Sequence, residues 1–115
     1  METLHYIKEG YNIAVVAKDL YILDFDQRQP GRINDWISWY RHLGLVQFTP
    51  HGYHVFIRFK EATTKTVNVE ALCDIWDVKP ETIRHGDMYA LIAPSKIDGK
   101  SYWWLDDMKG EILRL

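Results

Sequence analysis

Leu20-Tyr21-Ile22-Leu23-Asp24-Phe25-Asp26 is an apolar run that ends in two acidic residues. Its aromatic and β-branched side chains are typical of a buried strand. Successive side chains of a strand point to opposite faces, so we expect Asp24 and Asp26 on one face, roughly 6 to 7 Å apart. Two carboxylates placed in this way suit Mg²⁺ or Mn²⁺. A solvated strand end is the alternative interpretation of the same pair.

The segments on either side of this run predict another strand and a helix. Residues 12–17 are also apolar, and Lys18-Asp19 between the two runs predicts a β-hairpin or a sharp turn. After Gln29-Pro30-Gly31, apolar residues recur at helical spacing, with Asn34 or Asp35 near the start and Gly44 at the end. The apolar positions of this predicted helix are Ile33, Trp36, Ile37, Tyr40 and Leu43.

The second half of the sequence predicts mainly short strands. Residues 45–49 and 54–60 are expected to pair as a hairpin around Pro50-His51-Gly52-Tyr53. Residues 67–78 are interpreted as a short turn of helix followed by a strand. The remaining predictions are strands at 88–93 and 101–105, joined across Asp98-Gly99, and a last helical turn within 106–115. The whole pattern indicates one compact α+β domain, 1–115, with a small mixed or antiparallel sheet and one main amphipathic helix.

Composition limits the possible functions. Lys and Arg number 14 and Asp and Glu 16, for a net charge of -2, so strong stand-alone binding to duplex nucleic acid is not expected. The only cysteine, Cys73, has no partner for an internal disulfide, and the sequence lacks the cysteine and histidine spacing of a structural zinc site. No export signal or stretch of about 18 apolar residues is present, so we expect a cytoplasmic location and no membrane partner.

A second candidate for chemistry is the stretch Thr49-Pro50-His51-Gly52-Tyr53-His54-Val55-Phe56-Ile57-Arg58. It places His54 at the start of an apolar strand, directly after a glycine turn, where an imidazole can donate a hydrogen bond to a phosphate oxygen. Arg58 lies four residues further on and points to the same side of the strand. It is expected either to bind a triphosphate or to pair with a surface carboxylate.

The order of these stretches resembles the bifunctional primase-polymerase domain of the archaeo-eukaryotic primase superfamily, which occurs in replication proteins of plasmids, phages and genomic islands. The resemblance extends over about residues 12–104 and keeps the family's motif order. Besides the two stretches quoted above, it is carried by Asn12-Ile13-Ala14-Val15, by Asp77-Val78-Lys79, by Tyr89-Ala90-Leu91-Ile92-Ala93-Pro94-Ser95 and by Gly99-Lys100-Ser101-Tyr102-Trp103-Trp104.

This resemblance implies an RRM-like primase palm that makes or extends primers on a single-stranded DNA template from nucleoside triphosphates. By the same resemblance, Asp24, Asp26 and Asp77 hold Mg²⁺ or Mn²⁺, with Asp74 and Asp87 as rival candidates for the third carboxylate. His54, Arg58 and Lys79 contact the phosphates of the incoming nucleotide. A replicative helicase or an initiator protein is the implied protein partner.

Two other functions stay open at the level of the sequence. One is a catalytically weak or inactive accessory module that keeps the fold and binds nucleic acid or a helicase or initiator. The other is a small inhibitor or adaptor of a mobile element, whose function would be indifferent to Asp24, Asp26 and His54.

Overall fold

A computed structural model describes residues 4–7, 12–26, 33–42, 44–58, 66–93, 95–105 and 113–114. Within these ranges the chain has two helices, where one main helix was predicted, and a mostly antiparallel sheet; the α+β class is confirmed. The elements are β1 (Leu4–Ile7), β2 (Asn12–Asp26), α1 (Ile33–Tyr40), β3 (Leu45–Phe48), β4 (Gly52–Arg58), α2 (Thr66–Trp76), β5 (Thr82–Ile92), β6 (Lys96–Ile97), β7 (Lys100–Ser101), β8 (Trp103–Trp104) and β9 (Leu113–Arg114).

Four antiparallel strands form the centre of the main sheet, in the order β5-β2-β4-β3. Strand β1 lies beside the first part of β2, on the edge that β4 occupies further along. Strand β8 extends the sheet beyond β3, and β9 runs parallel to the end of β4. Strands β6 and β7 form a separate pair. The long strand β2 therefore organises the sheet, because it contacts three other strands.

The hairpin predicted at Lys18-Asp19 is wrong, because residues 12–26 form one continuous strand. Lys18 adopts a φ of 55°, and the pairing of β2 with β5 is irregular on both sides of it. Such a bulge shifts the alternation of side chains by one residue. As a result Ala17, before the bulge, and Ile22, after it, pack in the same apolar cluster. Lys18-Asp19 is therefore not a turn between two strands but the point in one strand where the alternation of side chains between the two faces shifts by one residue.

The two faces of the sheet carry two different apolar layers. Both helices pack on one face, where their side chains join inward-facing residues of β2 and β4 such as Leu23, Phe25 and Val55. A smaller cluster covers part of the opposite face and includes Ile22 and Phe56. No described helix covers this second face. Polar side chains on it can therefore be reached by a ligand.

Helix α1 agrees with the sequence prediction. Its buried positions are those that the helical spacing identified: Ile33, Trp36, Ile37 and Tyr40. The hydroxyl of Tyr40 donates a hydrogen bond of 3.3 Å to the carbonyl of Phe56, which ties the helix to β4. Trp39, on the outer side, is half exposed, and Leu43 lies outside the described residues.

The prediction for residues 67–78 is wrong in its second half, because helix α2 continues to Trp76 and no strand follows before Thr82. Asp77 adopts a φ of 56°, its N–H bonds to the carbonyl of Asp74, and the N–H of Val78 bonds to the carbonyl of Cys73. These are the two hydrogen bonds of a Schellman motif, which ends a helix at a left-handed residue. Asp77 is that residue.

The C-terminal segments differ in detail from their predictions. The strand predicted at 88–93 begins earlier, at Thr82, and the Asp98-Gly99 turn joins β6 to β7. Within the predicted helical tail, Leu113–Arg114 form a strand, and residues 106–112 lie outside the described part of the chain. Trp103 and Trp104 face opposite sides of β8, with Trp103 exposed. None of the described helices has the length and apolar character needed to cross a bilayer.

Candidate functional site

A row of polar side chains crosses the open face of the sheet. Asp24 of β2 lies directly opposite His54 of β4, and His54 lies opposite Gln47 of β3. Side chains of directly paired residues point to the same face, so the three groups meet. Nε2 of His54 is 3.5 Å from Oδ2 of Asp24, and Nδ1 of His54 is 2.9 Å from Nε2 of Gln47. The imidazole therefore lies between a carboxylate and an amide.

Gln47 holds the imidazole in one tautomer. Its Nε2 donates to the carbonyl of Leu91 at 2.7 Å, and its Oε1 accepts from the N–H of Ala93 at 3.0 Å. Because a carbonyl only accepts and a backbone N–H only donates, the amide has a single orientation. Its second N–H then donates to Nδ1 of His54, so the ring proton is on Nε2 and points towards Asp24. Gln47 and His54 are both buried, at 0% and 4% exposure, which makes this arrangement rigid.

Arg84 supplies the positive charge beside Asp24. It lies on β5 opposite Ile22, one diagonal step from Asp24, and its Nη2 is 3.1 Å from Oδ2 of the carboxylate. Burial by itself raises the pKa of Asp24, but hydrogen bonds from His54 and Arg84, together with the charge of Arg84, outweigh it and lower the pKa below its ordinary value. Asp24 is consequently held as a carboxylate.

These groups form the base of a cleft of about 700 Å³. Its lining includes Asp24, His54, Arg84, Asp87, Tyr89 and Tyr102. Strand β5 is irregular beside it: Gly86, at a φ of 67°, pairs with Lys18, and Tyr89 pairs with Val16, so β5 carries one extra residue there. The bulge brings exposed side chains to the rim of the cleft. A volume of this size lies within the range of small-ligand sites.

Ser95 connects the end of β5 to the start of β2 and positions Tyr102. Its hydroxyl accepts from the N–H of Ile13 at 2.8 Å and donates to the carbonyl of Ile13 at 3.1 Å. Its carbonyl accepts from the N–H of Tyr102 at 2.8 Å, and Oδ1 of Asn12 accepts from the N–H of Lys96. These hydrogen bonds place the ring of Tyr102 near His54, with ring centroids 6.1 Å apart. Burial, followed by the charge of Asp24, raises the pKa of Tyr102, and the charge of Arg84 lowers it.

Apart from the rival candidate Asp87, the other residues to which the resemblance assigns a role lie outside this lining. Asp26 follows Asp24 on the same face of β2. Arg58 is about 13 Å along β4 from His54, and its Nη2 is 3.6 Å from Oδ1 of Asp19, the surface pairing that was the alternative expectation. Asp77 caps α2, and Lys79 is exposed beyond that helix. Asp24 and His54 are therefore the two members of the implied set that the cleft brings together.

The described carboxylates do not assemble the expected cation site. Among the residues that the structure describes, no three His, Cys, Asp or Glu side chains are grouped to hold one ion. Oδ2 of Asp24 is already within contact distance of a guanidinium and an imidazole. Of the three candidates for the third carboxylate, Asp87 shares the cleft with Asp24, whereas Asp74 and Asp77 do not.

Sequence reasoning missed Gln47, Arg84 and Tyr102 as members of the site. Gln47 had a visible signal, since it is a polar residue within the apolar stretch Leu45–Phe48. Arg84 had no such signal, because its role depends on the register of β5 against β2.

Comparisons with protein-family models, with curated proteins and with solved structures found no match to this chain.

Proposed function

We propose that this chain is a primase-polymerase-type replication protein of a phage, plasmid or genomic island, which binds a nucleoside triphosphate in the cleft and adds nucleotides to a primer on single-stranded DNA. The observation that carries the proposal is the meeting of Asp24 and His54 at the base of a nucleotide-sized cleft. These two residues come from the two stretches that most resemble catalytic motifs of the family.

The order of the elements supports the palm character in this proposal. The segment from β2 to β5 runs strand, helix, strand, strand, helix, strand, and its strands lie in the order β5-β2-β4-β3 with both helices on one face. Ferredoxin-like and RRM-like sheets share this order of elements, which supports the palm character that we propose. Such sheets leave one face open for a ligand, and here the cleft lies on that face.

The side chains in the cleft have chemistry suited to a triphosphate. Nε2 of His54 carries the ring proton and donates, and Arg84 offers a guanidinium that matches phosphate geometry. The exposed ring of Tyr89 on the rim offers a surface on which a base can stack. Mg²⁺ or Mn²⁺ enters the proposal as the cation that accompanies the triphosphate and neutralises its charge.

A specific observation favours the second candidate, an accessory module that binds nucleic acid or a helicase or initiator partner without catalysing transfer. Asp24 is paired with Arg84, and the described residues offer no group of three cation ligands. Such a module would bind nucleotide or single-stranded DNA in the same cleft. It therefore differs from the enzyme in turnover and not in binding.

The deciding experiment measures incorporation of labelled deoxynucleotides and ribonucleotides on primed and unprimed single-stranded DNA, with Mg²⁺ and with Mn²⁺. We expect the wild-type chain to extend or make primers, and Asp24→Ala and His54→Ala to lose about 10²-fold or more of that activity. Lys100→Gln, a loss of charge on the exposed β7 strand, is the matched control.

A folded wild-type chain that incorporates nothing, alone or with a candidate helicase, would overturn the enzymatic proposal. Retained nucleotide binding in that case would favour the accessory module. Loss of binding as well would remove both candidates.

A further inference from the structure

Arg84 makes a second hydrogen bond in addition to its ion pair with Asp24. Its Nη2 is 3.1 Å from Oδ2 of Asp24, and its Nη1 donates at 3.0 Å to the carbonyl of Tyr89, across the bulge of β5. Its Nε is buried without a hydrogen-bond partner among the described residues. The side chain is 32% exposed and lines the cleft. The guanidinium is therefore held at the cleft with donor capacity to spare.

A phosphate group in the cleft would compete with Asp24 for this guanidinium. Carboxylate and phosphate both match the planar fork of arginine, and a phosphate carries more negative charge. Asp24 and a bound phosphate also repel each other in a partly buried site. The guanidinium of Arg84 can therefore bind either the carboxylate of Asp24 or a phosphate, but not both equally well.

We propose that Arg84 is a phosphate-binding residue that exchanges Asp24 for a phosphate of the nucleotide, so that Asp24 and the ligand compete for one guanidinium. This inference rests on the proposed binding of a triphosphate in the cleft. It also accounts for the disagreement between the resemblance, which assigns Asp24 to cation binding, and the structure, in which Asp24 is paired with an arginine. Arrival of the triphosphate removes that pairing from Asp24.

A double-mutant cycle on Asp24 and Arg84 tests the competition. The measurement is the Kd of inorganic tripolyphosphate by titration calorimetry in buffer with EDTA, so that no divalent cation contributes. We expect Arg84→Gln to weaken binding about tenfold or more, because a charge-assisted hydrogen bond to phosphate is lost. We expect Asp24→Asn to tighten binding about three- to tenfold by releasing the guanidinium.

The double variant separates exchange from simple repulsion. If Asp24 competes for Arg84 as well as repelling phosphate, the tightening caused by Asp24→Asn shrinks when Arg84 is already Gln, because only the relief of repulsion remains. If Asp24 only repels phosphate, the same tightening appears in both backgrounds, and that additivity would overturn the inference. Arg84→Lys keeps the charge without the fork, and we expect an intermediate Kd. Circular dichroism and thermal unfolding confirm that each variant is folded.

The remaining outcomes are also decisive. Wild-type binding that Arg84→Gln leaves unchanged would sink the exchange while leaving the proposed function intact. No tripolyphosphate binding by the folded wild-type chain would count against a triphosphate site in the cleft, and against the proposed function together with this inference. Lys100→Gln is again the control for a general loss of positive charge, and we expect no change beyond about twofold.

Discussion

Nε2 of Gln47 and Nδ1 of His54 are 2.9 Å apart in the interior of the sheet, and backbone groups of residues 91 and 93 decide which of the two is the donor. The amide cannot be inverted without placing two acceptors, or two donors, against each other. The direction of this hydrogen bond sets the direction of the next, so the N–H of His54 points towards Asp24. A glutamine that does not itself line the cleft thereby determines which ring atom the imidazole presents to it.

Replacing Gln47 with Leu should destabilise the protein and loosen His54. The substitution leaves a part-buried carbonyl, a part-buried N–H and the buried imidazole nitrogen without their partner, and we expect the free energy of unfolding to fall by about 2–4 kcal/mol. Urea denaturation at pH 7 measures it. Gln47→Glu is the matched variant, because it keeps the shape and replaces the donor with an acceptor; we expect it to be least stable at neutral pH and to recover in acid. Wild-type stability in both variants would refute the role given to Gln47.

The pKa of Asp24 predicts how its contribution to stability depends on pH. Because the folded-state pKa lies below the usual value, the ionised carboxylate stabilises the fold. This stabilisation is complete above the pKa of the unfolded state, about 3.9, and is lost as the pH falls through the lower folded-state pKa. We therefore expect wild type to exceed Asp24→Asn in unfolding free energy at pH 7, with the difference shrinking below about pH 4. Asp98→Asn, in an exposed turn, serves as the control, and a difference that grows in acid would contradict the assignment.

The bulge at Lys18 predicts an unusual response to glycine. A non-glycine residue at a φ of 55° is strained, so Lys18→Gly should raise the free energy of unfolding by up to about 1 kcal/mol. Lys18→Val should lower it by about 1–2 kcal/mol, since β-branched residues tolerate positive φ poorly. Lys96→Gly, in the exposed strand β6, is the matched control and should lose about 0.5–1 kcal/mol. The same sign of effect at both lysines would argue against the bulge.

Asp77 and Asp87 should respond differently to loss of charge. Asp87 lines the cleft, so Asp87→Asn should tighten tripolyphosphate binding without divalent cations by about two- to fivefold, through reduced repulsion. Asp77→Asn should leave the Kd and the stability unchanged, because asparagine also tolerates the left-handed conformation at the end of α2. Titration calorimetry and thermal unfolding provide the two measurements. An effect on the Kd at Asp77 and none at Asp87 would instead support Asp77 as the third carboxylate of the site, as the resemblance implies.

Several features could be predicted from local sequence alone. The spacing of Ile33, Trp36, Ile37 and Tyr40 identifies the buried side of α1, because one face of a helix repeats every three to four residues. The alternation in β4 and the glycine turn before it predict its hairpin with β3. Asp24 and His54 were also identifiable, as polar residues at the ends of apolar strands.

The errors share a cause, which is that the deciding interaction is distant in the chain. Nothing local distinguishes a turn at Lys18 from a bulge, since it is the pairing with β5, about 70 residues later, that keeps β2 continuous. Residues 67–78 contain both helical and strand-like side chains, and packing of Val69 and Cys73 against the sheet favours the helix.

Local patterns in the sequence are enough to show which segments bury apolar side chains and where the acidic and imidazole groups lie along the strands, because these properties depend on near neighbours. The tertiary structure decided which of those groups meet. Register places Asp24 opposite His54 and His54 opposite Gln47, and the diagonal step to β5 brings Arg84 to the same carboxylate. Arg58 and Asp77 lie elsewhere for the same reason. Contacts between side chains depend on strand pairing over long separations in sequence, which no local pattern encodes.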